Sequence, residues 1–176
     1  MKFDLGEVHV HKRSRLPHWR TAFGYYFVTF NLFDAIPRWA RARPQADEAL
    51  DESRGACFMR DPRVAKIVAS SITHFDGERY ALLAWCVMPN HAHVVFSLAR
   101  EHWIDDVVQT WKGYSAKEAN KLMERTGTFW MEDYFDRSIR DSRELHATIE
   151  YVLNNPLKAG LRDWAFVKLY AERVPV

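Results

Sequence analysis

Two histidines one residue apart sit in the run Met88-Pro89-Asn90-His91-Ala92-His93-Val94-Val95-Phe96. Strand side chains alternate with a period of two, so both imidazoles would leave one face of a β-strand. Ala92, Val94, Phe96 and Leu98 would then face a core on the other side. Imidazoles held side by side on a rigid strand suit a divalent metal, and a third donor would close the site. Tyr151 and Asn155 are one helical turn apart, so a helix would show both on one face. Two imidazoles, an amide oxygen and a phenol are the parts needed to cut a phosphodiester with tyrosine as nucleophile. A metal on phosphate oxygens offsets the charge that repels a nucleophile, and a phosphotyrosine conserves the bond for a later reversal. The neutral donors suit Mg²⁺ or Mn²⁺.

The elements that must position these groups are legible in outline. Residues 1–20 read as irregular. The aromatic and β-branched run from Phe23 to Leu32 reads as a buried strand. Asp61-Pro62 opens a helix to about His74, with Asp as cap and Pro in the first turn. Residues 79–87 and 91–98 form two strands joined by Met-Pro-Asn, a hairpin. A second helix starts at Trp103 or Ile104 and runs to about Arg125. Residues 129–139 supply a further strand. Asp141 and Glu144 make a capping arrangement for a third helix, with Leu145, Ile149, Val152 and Leu153 as its buried stripe. Glu144, Thr148, Tyr151 and Asn155 fall on a different face, and Pro156 is expected to stop the helix. The order predicts an α+β fold with helices on an antiparallel sheet.

Composition narrows the class. The 176 residues are 48% hydrophobic, enough for the core of one ordinary domain. Cys57 and Cys86 make neither a disulfide framework nor a CxxC metal pattern, so a reducing cytoplasm is the expectation. No apolar run approaches the roughly 20 residues of a membrane span, which argues against a membrane partner. The net charge of +2 matters less than its distribution. No acid lies between Glu7 and Asp34, while Lys12, Arg13, Arg15 and Arg20 are basic, as a phosphate-tracking arm would be. A solvated terminus has the same composition.

Four separated motifs carry a family resemblance. They are Trp85-Cys-Val-Met-Pro-Asn-His-Ala-His, Trp111-Lys112-Gly-Tyr, Phe129-Trp130 with Tyr134-Phe135-Asp136-Arg137-Ser-Ile-Arg140-Asp141, and Tyr151 with Asn155-Pro156-Leu-Lys158-Ala-Gly160-Leu. In this order they resemble the REP-associated tyrosine transposases, relatives of the single-tyrosine HUH transposases of small insertion sequences. The resemblance covers about residues 20–165. It implies a ferredoxin-like α+β domain over 21–165, between a basic arm (1–20) and a tail (166–176). It also implies a cytoplasmic, nucleoid-associated enzyme that cleaves and rejoins single-stranded DNA beside palindromic hairpins through a 5′-phosphotyrosine. His91 and His93 match the HUH pair, with Ala92 smaller than the usual middle residue. Tyr151 matches the nucleophile, and Asn155 the polar residue that completes the metal site. Related enzymes act as monomers or as dimers that swap the catalytic helix.

Weaker candidates for DNA contact are Lys12, Arg13 and Arg15 of the arm, Lys112 and Lys158, for which a solvated helix lysine is the commoner explanation, and Arg137 and Arg140, which could instead pair with Asp136 and Asp141. A His-x-His pair alone is more often a surface or hydrogen-bonded feature than a metal site, and Val8-His9-Val10-His11 is a second one in this chain. Two rival functions keep the same residues. One is a hairpin-binding regulator without catalysis, which has no need of Tyr151. The other is a zinc hydrolase with a water nucleophile, which would survive Tyr151→Phe.

Overall fold

The computed structural model describes residues 8–11, 18–21, 24–35 and 55–175. Val8–His11 (β1) and His18–Thr21 (β2) pair as a two-stranded antiparallel sheet. The expected irregular N-terminus is therefore partly strand. Val8 and Val10 alternate with the period a strand needs, and Trp19 and Thr21 are good strand formers opposite them.

Tyr25–Asn31 (β3), Tyr80–Val87 (β4), His91–Leu98 (β5), Phe135–Ile139 (β6) and Val167–Leu169 (β7) form the main sheet, in the order β6-β3-β5-β4-β7. Every neighbouring pair is antiparallel. With the helices Pro62–Thr73 (α1) and Ile104–Leu122 (α2), the chain runs β3-α1-β4-β5-α2-β6, the split βαβ order of a ferredoxin-like fold. The last residues, set apart as a tail by the sequence, add β7 as an edge strand beside β4.

Alternation along the strands divides the sheet into two chemical faces. Tyr26, Val28, Phe30, Ala92, Val94 and Phe96 pack under α1 and α2, where Trp111 is wholly buried. The polar tips of that aromatic core are satisfied in series: Trp111 Nε1 donates to the Tyr80 hydroxyl (2.8 Å), which donates to the Ile72 carbonyl (2.7 Å). The opposite face carries Phe27, Val95, Ala84 and Cys86 and is covered by the third helix, Ser142–Lys158 (α3). A register shift between Leu82 and Ala84 changes which β4 residues face which layer. Beyond it Cys86 lies opposite His93, so one row on the α3 face reads Phe135, Thr29, His93, Cys86, Val167.

Helix α3 departs from its expected form in two ways. It continues past Pro156 to Lys158. A proline there forfeits only the single bond its missing N–H would have made to Val152, because the following turn closes without it. Ala159 N–H donates to Asn155 (3.1 Å), Gly160 N–H to Leu157 (3.0 Å) and Leu161 N–H to Pro156 (2.8 Å), and Gly160 takes the left-handed φ of +72° that ends the helix. The buried stripe is Leu145, Thr148, Ile149, Val152, Asn155 and Pro156, with Leu153 only half-buried. Thr148 and Asn155 thus face the sheet rather than a separate polar side, and Tyr151 lies at the stripe's edge. The segment at 129–139 is also not one strand: Trp130 makes an isolated bridge to Leu32, and β6 begins at Phe135.

Candidate active site

The hairpin between β4 and β5 is built to hold His91. Its backbone is tied on two sides: Leu32 N–H donates to Asn90 (2.9 Å) and Met59 N–H to Pro89 (3.0 Å), while Met88 N–H closes the turn on His91 (2.8 Å). Met88, Asn90 and His91 are fully buried, so the imidazole leaves a fixed backbone rather than a loose loop.

His91 and His93 emerge on the α3 face, their Nε2 atoms 3.0 Å apart and their ring planes inclined at 73°. Each ring is held from behind through Nδ1. His91 Nδ1 meets Asn90 Oδ1 at 2.7 Å, and His93 Nδ1 meets Thr29 Oγ1 at 2.8 Å. Both histidines lie at or below 1% exposure. Burial drives the His91 pKa down to about 3, against a smaller opposing effect of Asn155. Burial, and then the neighbouring His91, pull His93 well below the ordinary value. Both rings are therefore neutral near pH 7, the form in which an imidazole nitrogen can donate a lone pair.

Helix α3 brings the other two groups. Its start is fixed by Asp141, whose carboxylate accepts from Glu144 N–H (2.8 Å), while Glu144 accepts from Arg140 N–H (2.9 Å). The Tyr151 ring stands 5.3 Å from His93 and meets Phe27 edge-on at 6.0 Å. Phe27 also stacks on His93 at 5.5 Å, so one buried aromatic braces both rings. Asn155 is fully buried, with neither its oxygen nor its nitrogen completing a hydrogen bond. Its amide still lies close enough to the His91 ring to oppose the effect of burial on that imidazole. Among the described residues no three His, Cys, Asp or Glu side chains gather where a metal could sit.

The basic candidates are dispersed. Lys158 Nζ lies 5.0 Å from the centre of the Tyr151 ring. Arg137 sits over Phe27 and is pinned to α3 by Thr148 Oγ1 (3.1 Å) and Glu144 (3.4 Å). Arg140 is exposed just before the α3 cap. Lys112 is on the far face of the sheet, donating to the Glu132 carbonyl (2.7 Å), where burial lowers its pKa to about 8 against the pull of Asp133 and Glu132. Lys12, Arg13 and Arg15 lie outside the described residues. Three residues around the site escaped the sequence reading: Thr29, Asn90 and Phe27. A polar residue inside the run Phe23–Leu32 and an amide directly before His91 were the available signals.

A family model for IS200-like transposases matches residues 54–155, more than half of the chain and all four of these central residues. The chain belongs to the IS200-like transposase family. Within that family it is similar to the REP-associated tyrosine transposase of Escherichia coli (strain K12), at 23% identity over 91 residues. That alignment takes in 49% of this chain and 53% of the relative, so the chain spans about half the length of the curated protein it matches. A solved structure of a REP-associated tyrosine transposase bound to a REP hairpin aligns over 88% of this chain and 81% of its own, with a TM-score of 0.60 and 18% identity. The IS200-like member described here shares that fold. No helix among its described residues is long and apolar enough to cross a membrane.

Proposed function

We propose that this chain is a metal-dependent transposase that cleaves and rejoins single-stranded DNA beside palindromic hairpins through Tyr151. The observation that carries the reading is the convergence of Tyr151 on His93, 5.3 Å ring to ring, beside a second buried imidazole and a buried amide with no hydrogen bond. Nitrogen ligands at neighbouring corners of an ion about 2.1 Å away stand roughly 3 Å apart, and the two Nε2 atoms are at 3.0 Å. The unpaired Asn155 oxygen is a third donor that would otherwise bear the full cost of burial.

His91, His93 and Asn155 would hold Mg²⁺ or Mn²⁺, which supplies charge to polarise a scissile phosphate. Because all three donors are neutral, they cancel none of that charge. Tyr151 provides the nucleophile: its hydroxyl gives up its proton as the oxygen forms a bond to phosphorus, the bond to the 3′ oxygen breaks, and that oxygen takes up a proton and leaves as a hydroxyl. The product is a 5′-phosphotyrosine, which the same hydroxyl can attack in reverse. Phe27 keeps the phenol ring over the site. Lys158, Arg137 and Arg140 lie on the α3 side, where flanking phosphates would pass, with the arm residues Lys12, Arg13 and Arg15 as further contacts. Lys112, across the sheet, would reach DNA only away from the cleavage point. Tyr151 beside His93 of its own chain supports attack within one protomer.

The test is incubation of end-labelled hairpin DNA carrying single-stranded flanks with the protein in Mg²⁺ or Mn²⁺. Cleavage lost on adding a chelator supports the proposal. Hairpin binding without cleavage in either metal would replace it with the binding regulator.

A further inference from the structure

We propose that Thr29 is a two-way hydrogen-bond partner that lets His93 exchange its ring proton between nitrogens when the site takes up a metal. The inference rests on the metal-site reading above and concerns a residue that reading does not use.

The argument begins at His91. Its Nδ1 faces the side-chain oxygen of Asn90 at 2.7 Å, and an amide oxygen only accepts, so Nδ1 carries the proton. A neutral His91 then presents a bare lone pair at Nε2. His93 Nε2 lies 3.0 Å from that lone pair. Two bare nitrogens at that distance in a buried site would repel, so without metal His93 carries its proton on Nε2 and donates it to His91. Its Nδ1 is then an acceptor, and the partner at 2.8 Å is the Thr29 hydroxyl, here acting as donor.

A metal reverses half of this arrangement. Both Nε2 atoms must present lone pairs to the ion, so the His93 proton leaves Nε2 and one is taken up at Nδ1. The ring stays neutral and no net proton is released. Nδ1–H now needs an acceptor, and Thr29 supplies one by turning its hydroxyl. A hydroxyl both donates and accepts, which neither an amide oxygen nor a carboxylate could do here. Thr29 is 4% exposed and sits between Phe135 and His93 in the strand row, so water cannot take its place readily. His91, which keeps one tautomer throughout, has the acceptor-only partner. The two supports thus differ in the way the two rings' tasks differ.

Two measurements on the full chain decide the matter. Long-range ¹H–¹⁵N NMR at neutral pH reads the protonated nitrogen of each ring, without metal and with excess Mg²⁺ or Zn²⁺. The expected result is Nδ1–H for His91 in both states, and a move from Nε2–H to Nδ1–H for His93. In parallel, Mn²⁺ affinity is read from the electron paramagnetic resonance of the free ion. Thr29→Val, of equal shape, should bind about 10–100-fold more weakly, and Thr29→Ser should restore affinity. A His93 tautomer that does not change, or a valine variant that binds as the wild type does, overturns the role of Thr29 while leaving the metal site intact. A wild-type protein that binds no divalent ion overturns both.

Discussion

The rings of His93 and Tyr151 lie 5.3 Å apart at 67°, although one projects from a central strand and the other from the helix that covers it. Neither is placed by its own neighbours in sequence. His93 is set by its register with Thr29 and Cys86, and Tyr151 by the packing of α3 on Phe27, Val95 and Ile139. The approach of the two rings is therefore a property of how a helix docks on a sheet.

Asn155 is where stability and function should separate. A buried amide with both polar atoms unpaired costs about 1–3 kcal/mol, which an apolar side chain of similar size would not pay. Asn155→Leu is expected to leave the unfolding free energy unchanged or to raise it by about 1–2 kcal/mol, while weakening divalent-ion binding. Denaturant melts and Mn²⁺ titration of the same sample check this. A marked loss of stability would mean that the amide has a structural partner.

The two buried histidines predict a pH dependence of folding. Their folded pKa values lie below the unfolded value near ~6.5, at about 3 for His91, so between those limits the unfolded chain binds more protons. Their contribution is complete above about pH 6.5 and is lost as pH falls. Stability without metal should therefore fall as the pH is lowered from 7.5 to 5.5. Urea titrations without metal at the two pH values measure it. His93→Gln should lessen the difference.

Asp141 caps the helix that carries both Tyr151 and Asn155. Asp141→Ala should cost about 1 kcal/mol of stability, by loss of the bond to Glu144 N–H. Because Phe27 still braces the Tyr151 ring, DNA cleavage under folded conditions should fall less than threefold. A larger fall would show that the helix start sets the position of Tyr151 three turns away.

The sequence carried the strands and helices around the site well, because local signals specify them. Asp61-Pro62 and the Asp141–Glu144 pair mark helix starts by their own hydrogen bonds, and the period of two through His91–Leu98 assigns two faces. What it did not carry depends on pairing. Thr29 becomes a partner of His93 only once β3 lies beside β5 in one register, and a shift of one residue would turn it to the other face. Asn155 belongs to the buried stripe because of how α3 rolls on the sheet, which helical spacing alone leaves open. Strand β7 is three residues long and exists only because β4 offers it an edge.

The most direct measurement is to incubate wild type and Tyr151→Phe with labelled hairpin DNA and Mn²⁺, then separate the products under denaturing conditions. Any covalent adduct is digested and its modified peptide sequenced by mass spectrometry. The account predicts a metal-dependent adduct with wild type only, with phosphate attached at Tyr151. An adduct that persists in Tyr151→Phe, or cleavage by wild type that leaves no covalent protein–DNA species, would contradict it.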